Sequence, residues 1–140
     1  MAKTVWATVQ RWSAWAPGIE TPGDWKQWAQ GNLEIKEEGT PAVPFLSPLF
    51  RRRLSRLSKM ALKVAFDCLA GEMVERSVFC SRHGELNRTL GILKDLVAGE
   101  PISPTEFSMS VHNTAAGLFS IANQNSGPST TISAGIDTFA

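Results

Sequence analysis

No stretch of this 140-residue chain stays apolar for the roughly 20 positions that a membrane-spanning helix requires, so contact with a bilayer could only be peripheral. An excess of one charge is missing as well. Fourteen Lys and Arg stand against 13 Asp and Glu, a net charge of +1, and no broad electrostatic footprint for nucleic acid is expected. Cysteine is scarce: Cys68 and Cys80 sit in apolar surroundings with no metal-ligand spacing around them, and nothing in the pattern asks for a metal or another cofactor. The start, "MAKTVWATVQRW", has neither an apolar leader nor a cleavage site, which points to a reduced, cytoplasmic protein. Repeats and low-complexity tracts are also lacking. What remains is 43% hydrophobic residues in a length suited to one domain over residues 1–140 with a real core.

The patterning alternates between the two regular periods. From Thr4 to Trp12, Val5, Ala7 and Val9 alternate with polar neighbours and predict a half-buried strand. Thr21 followed by Pro22 is a cap and a first-turn proline, opening a short helix through Trp25 and Trp28 that Gly31 ends. Three prolines make "IKEEGTPAVPFLSP" a loop. In "LFRRRLSRLSKMALKVAFDCLAG", Leu54, Leu57, Met60, Ala61, Val64, Ala65, Cys68 and Leu69 share one helical face, giving a core helix with a basic start. "RSVFCS" reads as a buried strand, "ELNRTLGILKDLVAG" as an amphipathic helix closed by Gly99, and "EPISPTEF" as a link. A further helix carries Val111, Ala115, Leu118, Phe119 and Ala122 on one side, and its small residues Ala115, Ala116 and Gly117 would admit a close neighbour. The order of elements is that of an α/β fold.

The end of the chain, "GPSTTISAGIDTFA", looks like the approach to an active site. A Gly-Pro turn precedes a Thr/Ile-rich strand, and Gly135 permits a sharp bend of the kind that presents a catalytic side chain. The side chain presented there is Ile136, which has no nucleophilic atom.

"FCSRHGEL", "PISPTEFSMSVHNTAAGLFSI" and "GPSTTISAGIDTF" together resemble successive landmarks of the N-terminal half of a β-ketoacyl synthase of the thiolase fold, well over residues 51–140 and loosely before them. The wording of these segments most resembles the ketosynthase-like subunits of aryl polyene and related polyketide or fatty-acid pathways. The resemblance implies a mixed sheet flanked by helices, cut short after the N-terminal half. It places the family's nucleophilic cysteine at Ile136, and assigns the catalytic His pair, or His and Asn, to a C-terminal half beyond Ala140. Condensation by this chain alone is therefore not expected. A ketosynthase relative without its nucleophile resembles a chain-length factor, a subunit that pairs with an active β-ketoacyl synthase and shapes the acyl tunnel.

Carried over to this chain, the resemblance makes Ser129, Thr130, Thr131, Ile132, Ser133 and Ala134 a strand that pairs across the dimer axis. It places Glu106, Phe107 and Met109 toward the partner's acyl pocket, and Ser81, Arg82 and His83 at the pocket's inner end. Phe107 and Met109 equally suit plain core packing. Arg51, Arg52, Arg53 and Arg56 read either as the solvated turns of a helix or as a patch for an acidic acyl carrier protein. Two other classes stay open: a fragment of an active β-ketoacyl synthase or acyltransferase, and a basic-helix module for nucleic acid, which the near-neutral charge disfavours. Cys80, His83 and Glu85 are close in sequence, but proximity along the chain does not create the geometry of a nucleophile and its base. His112 is expected to hydrogen-bond within the start of its helix.

Overall fold

Hydroxyl side chains set where four of the helices begin. The chain is described here by a computed structural model that covers Thr4 and residues 6–139. Thr21, Ser47, Ser55 and Ser103 each accept a backbone N–H from the first turn of α1 (Pro22–Ala29), α2 (Pro48–Arg51), α3 (Arg56–Leu69) and α5 (Pro104–Ser108), and a proline opens three of the four. At α1 the cap is reciprocal, with the Asp24 carboxylate accepting the Thr21 N–H at 2.8 Å while the Thr21 hydroxyl accepts the Asp24 N–H at 3.1 Å. α4 (Leu86–Ala98) and α6 (Thr114–Ala122) start without a side-chain cap.

Two strands, β1 (Ser77–Cys80) and β2 (Ser129–Ile132), pair in parallel with Phe79 opposite Thr131. A parallel pair needs a long crossover, and α4, α5 and α6 supply it. The α/β architecture is the expected one, but among the described residues the sheet is this parallel pair and not a mixed sheet.

α6 packs on α3 and on both strands of that pair. Val43, Leu46, Leu54, Leu62, Leu118 and Phe119 form the buried cluster, and Phe66, Phe79 and Met109 close around it. The ring of Phe119 meets Phe66 edge-on at 5.8 Å between centroids and Phe79 at 5.4 Å. Leu62 is fully buried, a placement that typically stabilises by about 1.5–3 kcal/mol. A second, smaller apolar knot holds Trp15, Ala16 and Ile19, with the indole N–H of Trp25 donating to the Ala14 carbonyl.

Several sequence expectations change on this scaffold. Residues 4 and 6–12 form no strand, and Val5 lies outside the described residues; alternation alone makes no ladder where no partner strand runs alongside, and Trp6 and Val9 are exposed. The basic-start helix is two helices, because Ser55 caps a new one; Arg51 ends α2, while Arg52 and Arg53 lie in the turn before α3. The inward face of α3 runs through Ser58 and Leu62, which the apolar pattern omits, and Leu57, Ala61, Val64 and Cys68 are only half-buried. β1 is not a buried strand: Ser77 and Phe79 face in, Val78 and Cys80 face out. The strand expected over residues 129–134 ends at Ile132 and is mostly exposed. "EPISPTEF" contains α5, which Ser103 and Pro104 initiate. In the last helix Val111 precedes the first turn and is exposed, Ala116 takes the buried place beside Leu118, and Gly117 faces open space.

Candidate functional site

The turn after β2 depends on a backbone that side chains resist. Gly135 has φ +60 and begins a short 3-10 turn, Gly135–Asp137. Thr138, buried beneath it, accepts the Ala134 N–H at 3.1 Å and donates to the Gly135 carbonyl at 2.8 Å, so one hydroxyl closes the elbow. Ile136 stands at its tip with 82% of its surface exposed. The elbow is therefore built and held open, and what it presents is a hydrocarbon that can neither attack a thioester nor hold an acyl group. Thr138 went unnoticed in the sequence; its only signal there was a hydroxyl three residues past a bend glycine.

Beside the elbow, β1 runs into the loop Ser81–Arg82–His83. The Ser81 N–H donates to the Ile132 carbonyl at 3.1 Å, and the Ser133 hydroxyl donates to the Arg82 carbonyl at 3.2 Å, which stitches this loop to the end of β2. Gly84 is required next: it has φ +53, and a Cβ there would lie 2.8 Å from the ring of His112. That ring lies across the loop, its Nε2 2.7 Å from the Ser81 carbonyl. His112 thus ties the loop to the segment entering α6 and does not bond within its own helix start. His83 is exposed and lines a shallow surface hollow with Arg56, Leu57 and Met60. Cys80 is an exposed thiol with no His or Glu bonded to it, so the Cys80, His83 and Glu85 string forms no catalytic arrangement.

Glu106, Phe107 and Met109 sit apart from that loop, on and just past α5. Met109 packs against the core, Phe107 is 65% exposed, and Glu106 accepts from Arg88 at 2.5 Å. The three are neighbours in sequence but meet different surroundings, one turned inward and two outward.

A buried polar cluster that sequence patterning missed lies between these places. The carboxylate of Glu85, which is 5% exposed, accepts the hydroxyls of Ser55 and Ser58, each at 2.7 Å. Arg88, one turn along α4, puts Nε 3.8 Å from the same carboxylate. A buried charge of this kind persists only with such partners. The sequence carried the pattern as two serines three apart and an acid and a base three apart, which only the fold aligns.

The four basic residues meet different surroundings. Arg51 is half-buried at the end of α2, Arg52 and Arg53 are exposed in the turn, and Arg56 donates its Nε–H to the Gly39 carbonyl at 2.6 Å. Among the described residues none of the four forms an ion pair. The outer faces of β1 and α3 border an open apolar groove of about 430 Å3, lined by Val64, Cys68, Val78 and Cys80. No group of His, Cys, Asp and Glu among the described residues is placed to hold a metal, and no described helix is long and apolar enough to cross a membrane.

Comparison with known proteins finds similarity to a family model and among solved structures. A family model described as the β-ketoacyl synthase N-terminal domain matches residues 25–140. Among solved structures, a chain from the complex of the ketosynthase ApeO with its chain length factor ApeC, from Xenorhabdus doucetiae, superposes with a TM-score of 0.84 over 94% of this chain at 36% identity. The match covers 56% of that chain, so the present chain spans little more than half the length of that relative. No curated protein matches.

Proposed function

The chain belongs to the β-ketoacyl synthase family, and from that premise we propose that it is a non-catalytic subunit of the chain-length-factor type. In this reading it pairs with an active β-ketoacyl synthase and shapes the tunnel in which the growing acyl chain lies, in an aryl polyene or related polyketide or fatty-acid pathway. The observation that carries the reading is Ile136, an exposed hydrocarbon on an elbow that Gly135 and Thr138 still hold in shape. The similarity to a chain from a ketosynthase and chain length factor complex supports the same role.

The sheet supports a pairing function. Parallel strands are ordinarily covered on both faces, yet here Val78 and Ile132 face outward, and one edge of β2 has no partner among the described residues. Residues 129–134 of this chain would pair with the equivalent strand of the partner, Phe107 and Met109 would border its acyl pocket with Glu106, and Ser81, Arg82 and His83 would line the pocket's inner end. Arg51, Arg52, Arg53 and Arg56 would meet an acidic acyl carrier protein.

Co-expression with a ketosynthase of the same pathway tests the reading. The two chains should co-purify as a heterodimer, and Phe107→Ala should change product chain length more than heterodimer yield. A chain that remains a monodisperse, cooperatively melting monomer beside that ketosynthase overturns it.

A further inference from the structure

Five residues are too few to make a stable helix unaided, and α5 has none of its residues buried. Its placement must come from its anchors. At its far end the Thr114 hydroxyl donates to the carbonyl of Met109, whose side chain packs on the core. Along the helix, the tie to the rest of the molecule is Glu106, held by Arg88 of α4. Arg88 is an unusual tether, because its side chain is only 9% exposed and bonds to two other elements at once. One terminal nitrogen donates to Glu106 on α5 and the other to the Arg53 carbonyl in the α2–α3 turn at 3.2 Å, while Nε lies 3.8 Å from the buried Glu85 carboxylate, too far for a hydrogen bond. A planar guanidinium holds its two terminal nitrogens at a fixed angle, which a flexible ammonium cannot.

From this geometry we infer that Arg88 is a positioning residue that sets the pose of α5, and with it the direction in which the adjoining Phe107 projects. The inference rests on the proposed role of Phe107 at the acyl path, and it adds a specificity-determining residue that touches no substrate. Arg88 acts through α5: loosening the Glu106 contact frees the helix to shift, Phe107 then samples several positions, and the acyl path loses a single defined length.

Two variants test this, Arg88→Met and Glu106→Gln. The second keeps the fold safe, because Glu106 lies on the surface and the Ser55 and Ser58 hydroxyls still donate to Glu85 without it. Hydrogen exchange followed by mass spectrometry, on the chain in the assembly in which it purifies, should show the amides of residues 105–109 exchanging about tenfold faster in Glu106→Gln, with those of α1 unchanged. In the reconstituted enzyme the spread of product chain lengths should widen while total turnover falls less. Unchanged exchange at 105–109 in Glu106→Gln overturns the anchoring. Faster exchange with an unaltered product distribution overturns the specificity role. Failure to form any heterodimer would count against the proposed function instead, and the exchange measurement would still decide whether Arg88 and Glu106 position α5.

Discussion

A single hydrocarbon side chain decides what the elbow can do. Ile136 offers no atom that can form a thioester, and the buried Thr138 keeps the turn in place whatever stands at its tip. On incubation with acyl carrier protein thioesters, intact-mass spectrometry should find no acyl adduct on this chain. A stable adduct, on Cys80 for example, would favour the active-fragment reading. Glu85 shows the other way one residue matters: one of its carboxylate oxygens accepts two serine hydroxyls and the other faces the Arg88 guanidinium at 3.8 Å, and a buried group so dependent on partners fixes the relative placement of α3 and α4.

Among the elements, α1 gives the sharpest test of local chemistry. The Thr21 backbone N–H, then its hydroxyl, then the Glu20 N–H hold the Asp24 carboxyl below the usual carboxylate range. A carboxylate lowered in the folded state contributes stability above its unfolded pKa, about 3.9, and loses it as the pH falls through the lower folded value. The gap in urea midpoint between the native chain and Asp24→Ala should therefore be constant above about pH 5 and close as the pH drops below about 4. A gap that widens on acidification would contradict the capping role. α5 stands at the opposite extreme, since its position is owed to contacts outside itself.

At the scale of the molecule, the cationic turn is the feature that charge reversal reaches without touching the core. Arg52 and Arg53 are exposed, and the contact Arg53 gives to Arg88 is made by its backbone carbonyl. Replacing both with Glu should slow association with an acidic carrier protein about tenfold at low salt and flatten its salt dependence, with the circular dichroism spectrum unchanged. Stopped-flow rates that match the native chain at low salt would return these residues to a solvated surface. Exposed apolar side chains are also spread widely, from Trp6 and Trp12 to Leu93, Val97 and Phe107.

Local rules settled a good part of the fold. Thr21 with Pro22 and Gly99 at a helix end act within one turn of chain, so α1 and the end of α4 were legible without any tertiary partner. The alternating order of helices and strands and the bend at Gly135 followed in the same way, as did the hydrocarbon on that bend, because residue identity is a property of the sequence itself. Long-range partners decided the rest. Ser55 broke one apparent helix into two because its hydroxyl serves both the α3 backbone and Glu85, 30 residues away. Alternation in residues 6–12 produced no strand, since a ladder needs a neighbour that periodicity cannot supply. Leu62 took its core position because α6 packs on that face of α3, and Ser58 because the buried Glu85 carboxylate accepts its hydroxyl. The ties of His112 to Ser81 and of Arg88 to Glu106 span 31 and 18 residues, distances over which no local pattern operates, so only the packed structure could bring those groups together.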